Sequence, residues 1–129
     1  MKNLIESLNL LNNKYPRPNL FLEVSEPFDT NNPWSYSPWP NNGRPGVYIF
    51  ADENNRVLYI GKASVTISSR LSAYWCKGKN GETKPKDWKS ENIRYVYTIG
   101  IPNDRAFEAP SIEEFLISQL KPERNTVGK

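Results

Sequence analysis

The run Gly46–Arg70, GVYIFADENNRVLYIGKASVTISSR, decides the fold predicted for this chain. Two stretches in it, residues 46–51 and 56–61, are rich in β-branched and aromatic residues and predict β-strands. The polar residues 52–55 between them have the composition of a tight turn. We therefore expect a hairpin, followed by a helix over about residues 66–76.

The same run concentrates hydroxyl and cationic side chains at Tyr48, Tyr59, Lys62 and Arg70. A four-residue turn would set Tyr48 nearly opposite Tyr59 on one face of the hairpin. A turn one residue longer or shorter would put the two rings on opposite faces, because successive strand side chains alternate sides. The proximity of the two rings is therefore a prediction about register.

The helix expected over residues 66–76 extends this cluster, with Ser64 or Thr66 as its N-cap. Its apolar residues recur at four-residue spacing and predict a buried stripe. Arg70 and Tyr74 lie four residues apart on a neighbouring stripe. Arg70 can therefore point from the rim of the core toward the sheet.

The composition excludes several kinds of active site. The 129 residues include no histidine and a single cysteine. A Ser-His-Asp triad, a Cys-His pair and a Cys/His zinc site are therefore excluded. Acid–base chemistry must use carboxylate, lysine or tyrosine groups. A chain of this length predicts one domain with one modest core.

The positive charge is unevenly distributed along the chain. The formal net charge is +3, and residues 1–45 carry four basic and four acidic side chains. The excess lies after Gly46, where a polyanion would bind. No run approaches the ~18 apolar residues of a membrane span, and Glu6 and Asn9 interrupt the N-terminus, unlike a signal peptide. We expect a cytoplasmic protein that does not associate with membranes.

Residues 1–44 are predicted to form an N-terminal helix and a Pro/aromatic-rich extension, packed on a domain formed by residues 45–129. The helix is expected over residues 3–13 because its apolar residues recur near every 3.6 positions: Leu4, Ile5, Leu8 and Leu11. Seven of the 11 prolines lie in residues 16–45, which excludes a regular helix or a central strand there. The aromatic side chains of the extension are interpreted as a cover for the sheet, in preference to an arm that stacks on bases: Trp34, Tyr36 and Trp39.

Two segments follow the expected helix. Residues 76–91 contain five lysines and predict a long polar loop. Two interpretations of it stay open: a solvated charge run, or a flexible clamp on a nucleic-acid backbone. Residues 92–101 alternate apolar and polar side chains and predict a third strand with one buried face.

A last helix is expected to begin at Pro110 and to stop before Pro122. Its apolar stripe consists of Ile112, Phe115, Leu116 and Leu120. Glu113 lies at the border of this stripe, whereas Glu114 points away from it. A carboxylate at such a border either pairs with a basic residue or takes part in chemistry.

Tyrosine, lysine, arginine and one glutamate are the side chains that cutting a phosphodiester with a single metal ion requires. The cationic groups neutralise phosphate charge. A lone carboxylate holds a hard divalent cation that keeps most of its waters. A tyrosine beside a cation and a metal-bound water is expected to lose its proton more easily, because positive neighbours lower its pKa. It could then take a proton from the attacking water.

The order of these residues resembles the GIY-YIG nuclease superfamily. The matched positions span roughly Pro45 to Asn125 and are Gly46-Val47-Tyr48, Tyr59-Ile60-Gly61-Lys62, Arg70, Tyr74, Glu113, Pro122 and Asn125. They are similar to the catalytic domain of the bacterial excision-repair nuclease subunit. The resemblance implies an α+β fold with a small three-stranded antiparallel sheet flanked by helices. It also implies metal-dependent hydrolysis of DNA.

The resemblance assigns a role to each matched side chain. Tyr48 or Tyr59 would activate water, with Tyr48 preferred. Lys62 would support deprotonation of the tyrosine or contact the phosphate, and Arg70 would grip the scissile phosphate. Glu113 would bind one divalent metal ion, Mg²⁺ or Mn²⁺. Two further residues would frame the site: Tyr74 at its edge and Asn125 as an anchor from the C-terminal segment.

One site per chain predicts nicking of one DNA strand. No DNA-binding segment is recognised after Asn125, so a partner protein or self-association would supply target specificity. The biological setting, DNA repair or a restriction-like or mobile-element function, stays open. One alternative is a non-catalytic nucleic-acid-binding module on the same fold. Another is a nuclease built on Glu82-Thr83-Lys84, disfavoured because that triplet lies in a Gly/Pro/Lys-rich loop.

Overall fold

The structure is a computed structural model that describes residues 2–31 and 39–126. Its strands are β1 (Phe28–Asp29), β2 (Gly46–Ala51), β3 (Val57–Ala63), β4 (Trp75–Lys77), β5 (Thr83–Pro85) and β6 (Tyr95–Gly100). Its helices are α1 (Lys2–Lys14), α2 (Ile67–Leu71), α3 (Ala109–Leu120) and α4 (Glu123–Thr126), with 3₁₀ helices at Trp88–Ser90 and Asn103–Glu108.

The strands form two antiparallel sheets within the described residues. The larger sheet has the order β1–β6–β2–β3, and the smaller one pairs β4 with β5. The α+β class and the three predicted strands are confirmed. The two-residue β1 adds a fourth strand beside β6, with Phe28 paired to Val96.

Strand β2 is buried on both faces because layers pack on each side of it. On one side Val47, Ile49 and Ala51 join an aliphatic cluster with the leucines of α1 and the apolar side of α3. On the other side Tyr48 and Phe50 join a cluster rich in aromatic residues, built with α2 and β4. The first layer supports the sheet, and the second contains the tyrosines of the predicted site.

The N-terminal helix is observed close to its predicted position. Its buried residues include Leu4, Leu8 and Leu11, whereas Ile5, placed on the stripe by the sequence, is 47% exposed. Of the aromatic residues expected to cover the sheet, Trp39 does so. Its ring lies 4.2 Å from that of Phe28, centroid to centroid. The other two, Trp34 and Tyr36, fall outside the described residues.

The helix predicted over residues 66–76 is shorter than expected. Thr66 is its N-cap and accepts a hydrogen bond from Ser69 N, but α2 ends at Leu71. Serine hydroxyls bond nearby carbonyls here, as Ser72 Oγ does to Ser69 O at 2.8 Å, and such bonds compete with helix continuation. Trp75 lies instead in a strand, buried in the aromatic cluster.

Residues 76–91 are not the long loop that the sequence predicted. They contain most of the β4–β5 hairpin and the 3₁₀ helix Trp88–Ser90. The apolar pattern of this segment is too sparse to reveal the hairpin, because half of its residues are charged and most are exposed.

Strand β6 and the last helix also differ in detail from expectation. Residues Val96–Ile99 are buried on both faces of the strand, because the sheet is covered on both sides. Helix α3 ends before Pro122 as predicted, but it begins at Ala109 after the 3₁₀ helix, so Pro110 is its second residue. None of the helices in the described ranges is both long and apolar enough to cross a membrane.

Candidate active site

The hairpin register places Tyr48 and Tyr59 on the same face, but diagonally. Tyr48 pairs with Gly61, and Phe50 pairs with Tyr59. The partner of Tyr48 is thus two residues further along β3 than expected, with an irregularity in the pairing between Phe50 and Ala51. The rings of Tyr48 and Tyr59 still lie 6.4 Å apart, centroid to centroid.

Both glycines of the paired tripeptides are required by close approaches. A Cβ atom on Gly61 would overlap the ring of Tyr48, which crosses directly over this position. A Cβ atom on Gly46 would overlap the carbonyl oxygen of Ile99 in β6. Gly61 therefore leaves space for the Tyr48 ring, and Gly46 allows β2 to approach β6 closely.

Tyr74 joins the two tyrosines through its hydroxyl group. The Tyr48 hydroxyl donates a hydrogen bond to Tyr74 Oη at 3.3 Å, and the Tyr59 and Tyr74 hydroxyl oxygens lie 3.4 Å apart. Tyr74 lies in the turn between α2 and β4, directly before Trp75, and is buried. The predicted edge residue therefore contacts the site from inside the protein and connects both candidate bases.

The predicted cationic and acidic side chains meet these tyrosines in one cleft of about 450 Å³. Tyr48 and Tyr59 come from the sheet, Lys62 from the end of β3, Arg70 from α2 and Glu113 from α3. Five of the seven predicted site residues thus line one cleft. A cleft lined by two cationic side chains and one carboxylate suits a phosphate accompanied by a divalent cation.

Burial and neighbouring side chains determine the pKa of Tyr48 and Tyr59. Burial raises the pKa of Tyr48, and the hydrogen bond with Tyr74 raises it further, while Arg70 acts in the opposite direction. Burial and the bond to Tyr74 also raise the pKa of Tyr59. Arg70 lowers the pKa of both tyrosines, as expected of a positive neighbour, but desolvation by burial outweighs this effect in the protein alone.

Arg70 lies beside the tyrosines of the cleft. The neighbouring Tyr48 hydroxyl is the largest cause that raises the pKa of its guanidinium. The side chain is otherwise exposed to solvent. Arg70 therefore keeps its charge at the cleft while most of its donors remain available to a ligand.

Asn125 connects the C-terminal segment to the open edge of β3. Its Nδ2 donates to Ile60 O at 2.8 Å, and its Oδ1 accepts from Ile60 N at 2.8 Å. The amide thus satisfies the main-chain groups that a further strand would have paired. Tyr59 and Gly61 flank Ile60 in β3. The contact with Asn125 therefore fixes the part of the strand that carries Tyr59 and that leaves space, at Gly61, for the Tyr48 ring.

The described residues contain no group of three or more acidic, cysteine or histidine side chains placed to hold a metal. Glu113 is the carboxylate in the cleft lining and is half-buried there. Glu82, from the alternative triplet, accepts a hydrogen bond from Asn80 N and does not line this cleft. The donor set fits a hard cation that takes one protein carboxylate and completes its shell with water and phosphate oxygens.

The structure adds residues that sequence reasoning missed. Ser64, Val65 and Ser69 also line the cleft, and Lys89 Nζ lies 5.1 Å from the centroid of the Tyr59 ring. The serines flank the recognised positions in sequence, which was their only signal. Lys89 belongs to the segment interpreted as a loop, and only the 3₁₀ helix after β5 brings it beside Tyr59.

Comparison with known proteins identifies the family. Residues 44–126 match the model of the UvrC-like GIY-YIG domain. The chain belongs to this family. The resemblance to the GIY-YIG nuclease superfamily is thereby confirmed, and membership supports a nuclease function in general.

The matched relatives carry the name UvrABC system protein C. The chain is 38% identical to that of Methanothermobacter thermautotrophicus over 80 residues and 35% identical to that of Caldanaerobacter subterraneus over 88 residues. These matches cover 62% and 67% of the chain. In each case the match spans 13% of the relative's length. The similarity therefore concerns the GIY-YIG domain and not the whole relative.

Proposed function

We propose that this protein is a DNA endonuclease that hydrolyses phosphodiester bonds with one divalent metal ion, Mg²⁺ or Mn²⁺. The observation that carries the proposal is the cleft, where Tyr48, Tyr59, Lys62, Arg70 and Glu113 converge from four different elements. Such convergence of hydroxyl, cationic and carboxylate groups matches the needs of phosphodiester hydrolysis. DNA as the substrate follows from the family.

Glu113 is the residue proposed to hold the metal ion. It lies on α3, and its side chain lines the cleft together with the two hairpin tyrosines. The metal ion, when bound, would stabilise the leaving oxygen and the charge that develops in the transition state. A single carboxylate leaves the remaining coordination positions to water and phosphate, as Mg²⁺ prefers.

Tyr48 is proposed to receive a proton from the attacking water. Its hydroxyl donates to Tyr74, so its oxygen retains lone pairs that can accept another proton. Its own proton would move along the hydrogen bond to Tyr74 while Tyr74 passes its proton to Tyr59, whose hydroxyl oxygen lies 3.4 Å away. Tyr59 lines the cleft and would release a proton to solvent there, so that no tyrosine is left with two protons. Arg70 favours the tyrosinate form that would arise during this transfer.

Arg70 and Lys62 are proposed to bind the scissile phosphate. Both side chains are exposed and line the cleft. The planar guanidinium offers paired donors to two phosphate oxygens, and the lysine adds a point charge. With one such cleft per chain, we expect single-strand nicks to appear before linear product.

The test is conversion of supercoiled plasmid to open circle, with Mg²⁺ and with chelator. We compare wild type with Glu113→Gln and with Glu114→Gln, the next residue on α3, which is exposed. We expect wild type and Glu114→Gln to nick only with the metal ion. Glu113→Gln should lose at least about 100-fold in rate, the scale of one removed electrostatic group.

Equal rates for the two variants would overturn the assignment of Glu113. A salt-dependent gel shift by wild type without any nicking, in Mg²⁺ and in Mn²⁺, would favour the non-catalytic binding module. Loss of nicking in Glu82→Gln, but not in Glu113→Gln, would favour the alternative triplet.

A further inference from the structure

We propose that Trp88 and Lys89 form a stacking platform for an unpaired base beside the cleft, so that the preferred substrate is DNA with single-stranded nucleotides at the cut. This inference deepens the proposed function and rests on it. The platform is defined by Trp88 and Lys89, together with the Tyr59 ring that Lys89 overlies.

The first observation is an exposed aromatic ring on a fixed backbone. Trp88 is 45% exposed. It begins the 3₁₀ helix Trp88–Ser90, and hydrogen bonds fix both ends of that helix. Asp87 Oδ1 accepts from Lys89 N at 2.9 Å. Arg124 Nη1 donates to Lys89 O at 2.9 Å and to Glu91 O at 2.7 Å.

A further hydrogen bond connects this 3₁₀ helix to the tyrosine cluster. Ser90 Oγ, which is buried, donates to the main-chain oxygen of Tyr74 at 2.7 Å. The platform is therefore tied to the residue that joins the two hydroxyls of the cleft. A ligand that stacks on Trp88 does not have to order a loose loop, so little entropy is lost on binding.

The second observation is the position of Lys89 between two rings. Its Nζ lies 5.1 Å from the Tyr59 centroid and 5.7 Å from the Trp88 centroid. Tyr59 lines the cleft. The Lys89 ammonium group, which lies near both rings, therefore connects Trp88 to the proposed site of cleavage. A nucleotide whose phosphate contacts Lys89 would place its base within reach of the indole.

The third observation is the charge around the platform. Five lysines lie on or beside the β4–β5 hairpin: Lys77, Lys79, Lys84, Lys86 and Lys89. Across residues 2–31 and 39–126, none of them forms an ion pair. Two acidic neighbours are occupied by main-chain N–H groups, Glu82 with Asn80 N and Asp87 with Lys89 N. The segment that carries the platform therefore has more basic than acidic side chains, which favours binding of a polyanion.

An unpaired strand fits these three observations better than a closed duplex. Base faces in a duplex are stacked on one another and do not reach an external indole. In a single strand each base offers a free face, and stacking on an aromatic side chain tolerates any sequence. The lysines would follow the backbone of the same strand.

The experiment measures binding by fluorescence anisotropy in chelator, where no cleavage occurs. The probes are a labelled single strand and the blunt duplex of the same sequence. We compare wild type with Trp88→Ala, Trp88→Phe and Phe107→Ala. Phe107 is a matched control, because it is an aromatic residue 71% exposed on the other 3₁₀ helix.

We expect Trp88→Ala to weaken single-strand binding about 5- to 10-fold, the low end for loss of one stacked base. Trp88→Phe should keep most of the affinity, and Phe107→Ala should keep all of it. Duplex binding should change by less than about 2-fold in every variant, since a duplex offers no free base face. Lys89→Gln should reduce the salt slope on the single strand by about 0.7.

Equal loss on both probes, or no loss in Trp88→Ala with its thermal unfolding unchanged, would overturn the platform. These outcomes differ from failure of the proposed function, which is the absence of metal-dependent cleavage by wild type on any substrate. Preferential cleavage of single-stranded or flapped oligonucleotides by wild type, lost in Trp88→Ala, would support both.

Discussion

The two faces of strand β2 carry different kinds of residues for different purposes. Val47, Ile49 and Ala51 pack into an aliphatic cluster against α1 and α3. Tyr48 and Phe50 alternate with them and pack into an aromatic cluster against α2 and β4. Neighbouring positions of one strand thus belong either to a layer that only supports the sheet or to a layer that ends in the cleft.

The difference teaches how stability and chemistry share one small sheet. The aliphatic layer contains few polar atoms, so its side chains interact by burial and close packing alone. The aromatic layer buries rings as large as those of any core, but each tyrosine adds a hydroxyl that needs a partner. In this protein those partners are other tyrosines, and two of them, Tyr48 and Tyr59, line the cleft. Substitutions on the two faces should therefore separate loss of stability from loss of activity.

The largest effect is expected from removing one hydroxyl on the aromatic face. Tyr48→Phe keeps the ring but deletes the proposed proton acceptor, so nicking should slow about 10²- to 10⁴-fold. The free energy of unfolding should change by no more than about 1.5 kcal/mol, the scale of one hydrogen bond. Rates of plasmid nicking and urea denaturation would measure the two quantities.

The matched control is Tyr97→Phe, on the aliphatic face. Tyr97 also donates one hydrogen bond, to Asn55 Oδ1 at 2.7 Å, but it belongs to the aliphatic cluster. It should lose similar stability and no activity. If Tyr48→Phe nicked as fast as Tyr97→Phe, the division between the two faces would be wrong.

The next effect is the reverse, a loss of stability without a loss of chemistry. Ile49 is fully buried in the aliphatic layer, beside Tyr48 in sequence. Ile49→Ala should reduce the free energy of unfolding by about 2–5 kcal/mol, since it leaves a cavity in a packed core. Nicking per folded molecule, measured well below the unfolding temperature, should equal that of wild type. A fall in that rate would mean that the two layers are coupled.

A smaller effect, on both quantities together, is expected at Gly61. Gly61→Ala would drive a methyl group into the ring of Tyr48, which must then move. We expect a loss of about 1–3 kcal/mol of stability, typical of overpacking, together with slower nicking. Gly43→Ala is the control, because a Cβ atom there has nothing within 4 Å. Unchanged activity in Gly61→Ala would show that the exact position of the Tyr48 ring is unimportant.

The smallest effect is expected far from the cleft, at Glu108. Its carboxylate accepts from Arg105 at 2.7 Å and from Arg17 at 2.9 Å, and these bonds lower its pKa. Glu108→Gln should reduce stability at pH 7 by less than about 1 kcal/mol, with normal nicking. Since the folded-state pKa is depressed, this contribution exists above the ordinary carboxyl pKa near 4.5 and is lost as pH falls through the folded value.

Thermal unfolding of wild type and Glu108→Gln at several pH values checks this dependence. The two proteins should differ at pH 7 and converge on acidification below the ordinary carboxyl range. A difference that persisted in acid would mean that the carboxylate charge is not the source of the stabilisation.

The sequence by itself determined the family and the elements that local patterns encode. Strand β2 and its turn, the cap at Thr66 as one of two candidates, and the end of α3 before Pro122 all follow from side-chain alternation, turn chemistry or proline geometry. These signals are short-range, so neighbouring residues are enough to reveal them. The same order of motifs pointed to the residues that line the cleft.

Only the tertiary structure decided how distant residues meet. The Tyr48–Tyr74 hydrogen bond spans 26 positions, and the Asn125–Ile60 pair spans 65. Both depend on the packing of whole elements, which no local pattern specifies. The direction of the tyrosine pKa shifts also required the structure, because burial is a property of the assembled core. The sequence also did not reveal the β4–β5 hairpin or the position of Trp88 and Lys89 beside Tyr59. A charged and exposed segment has no apolar periodicity from which such structure could be predicted.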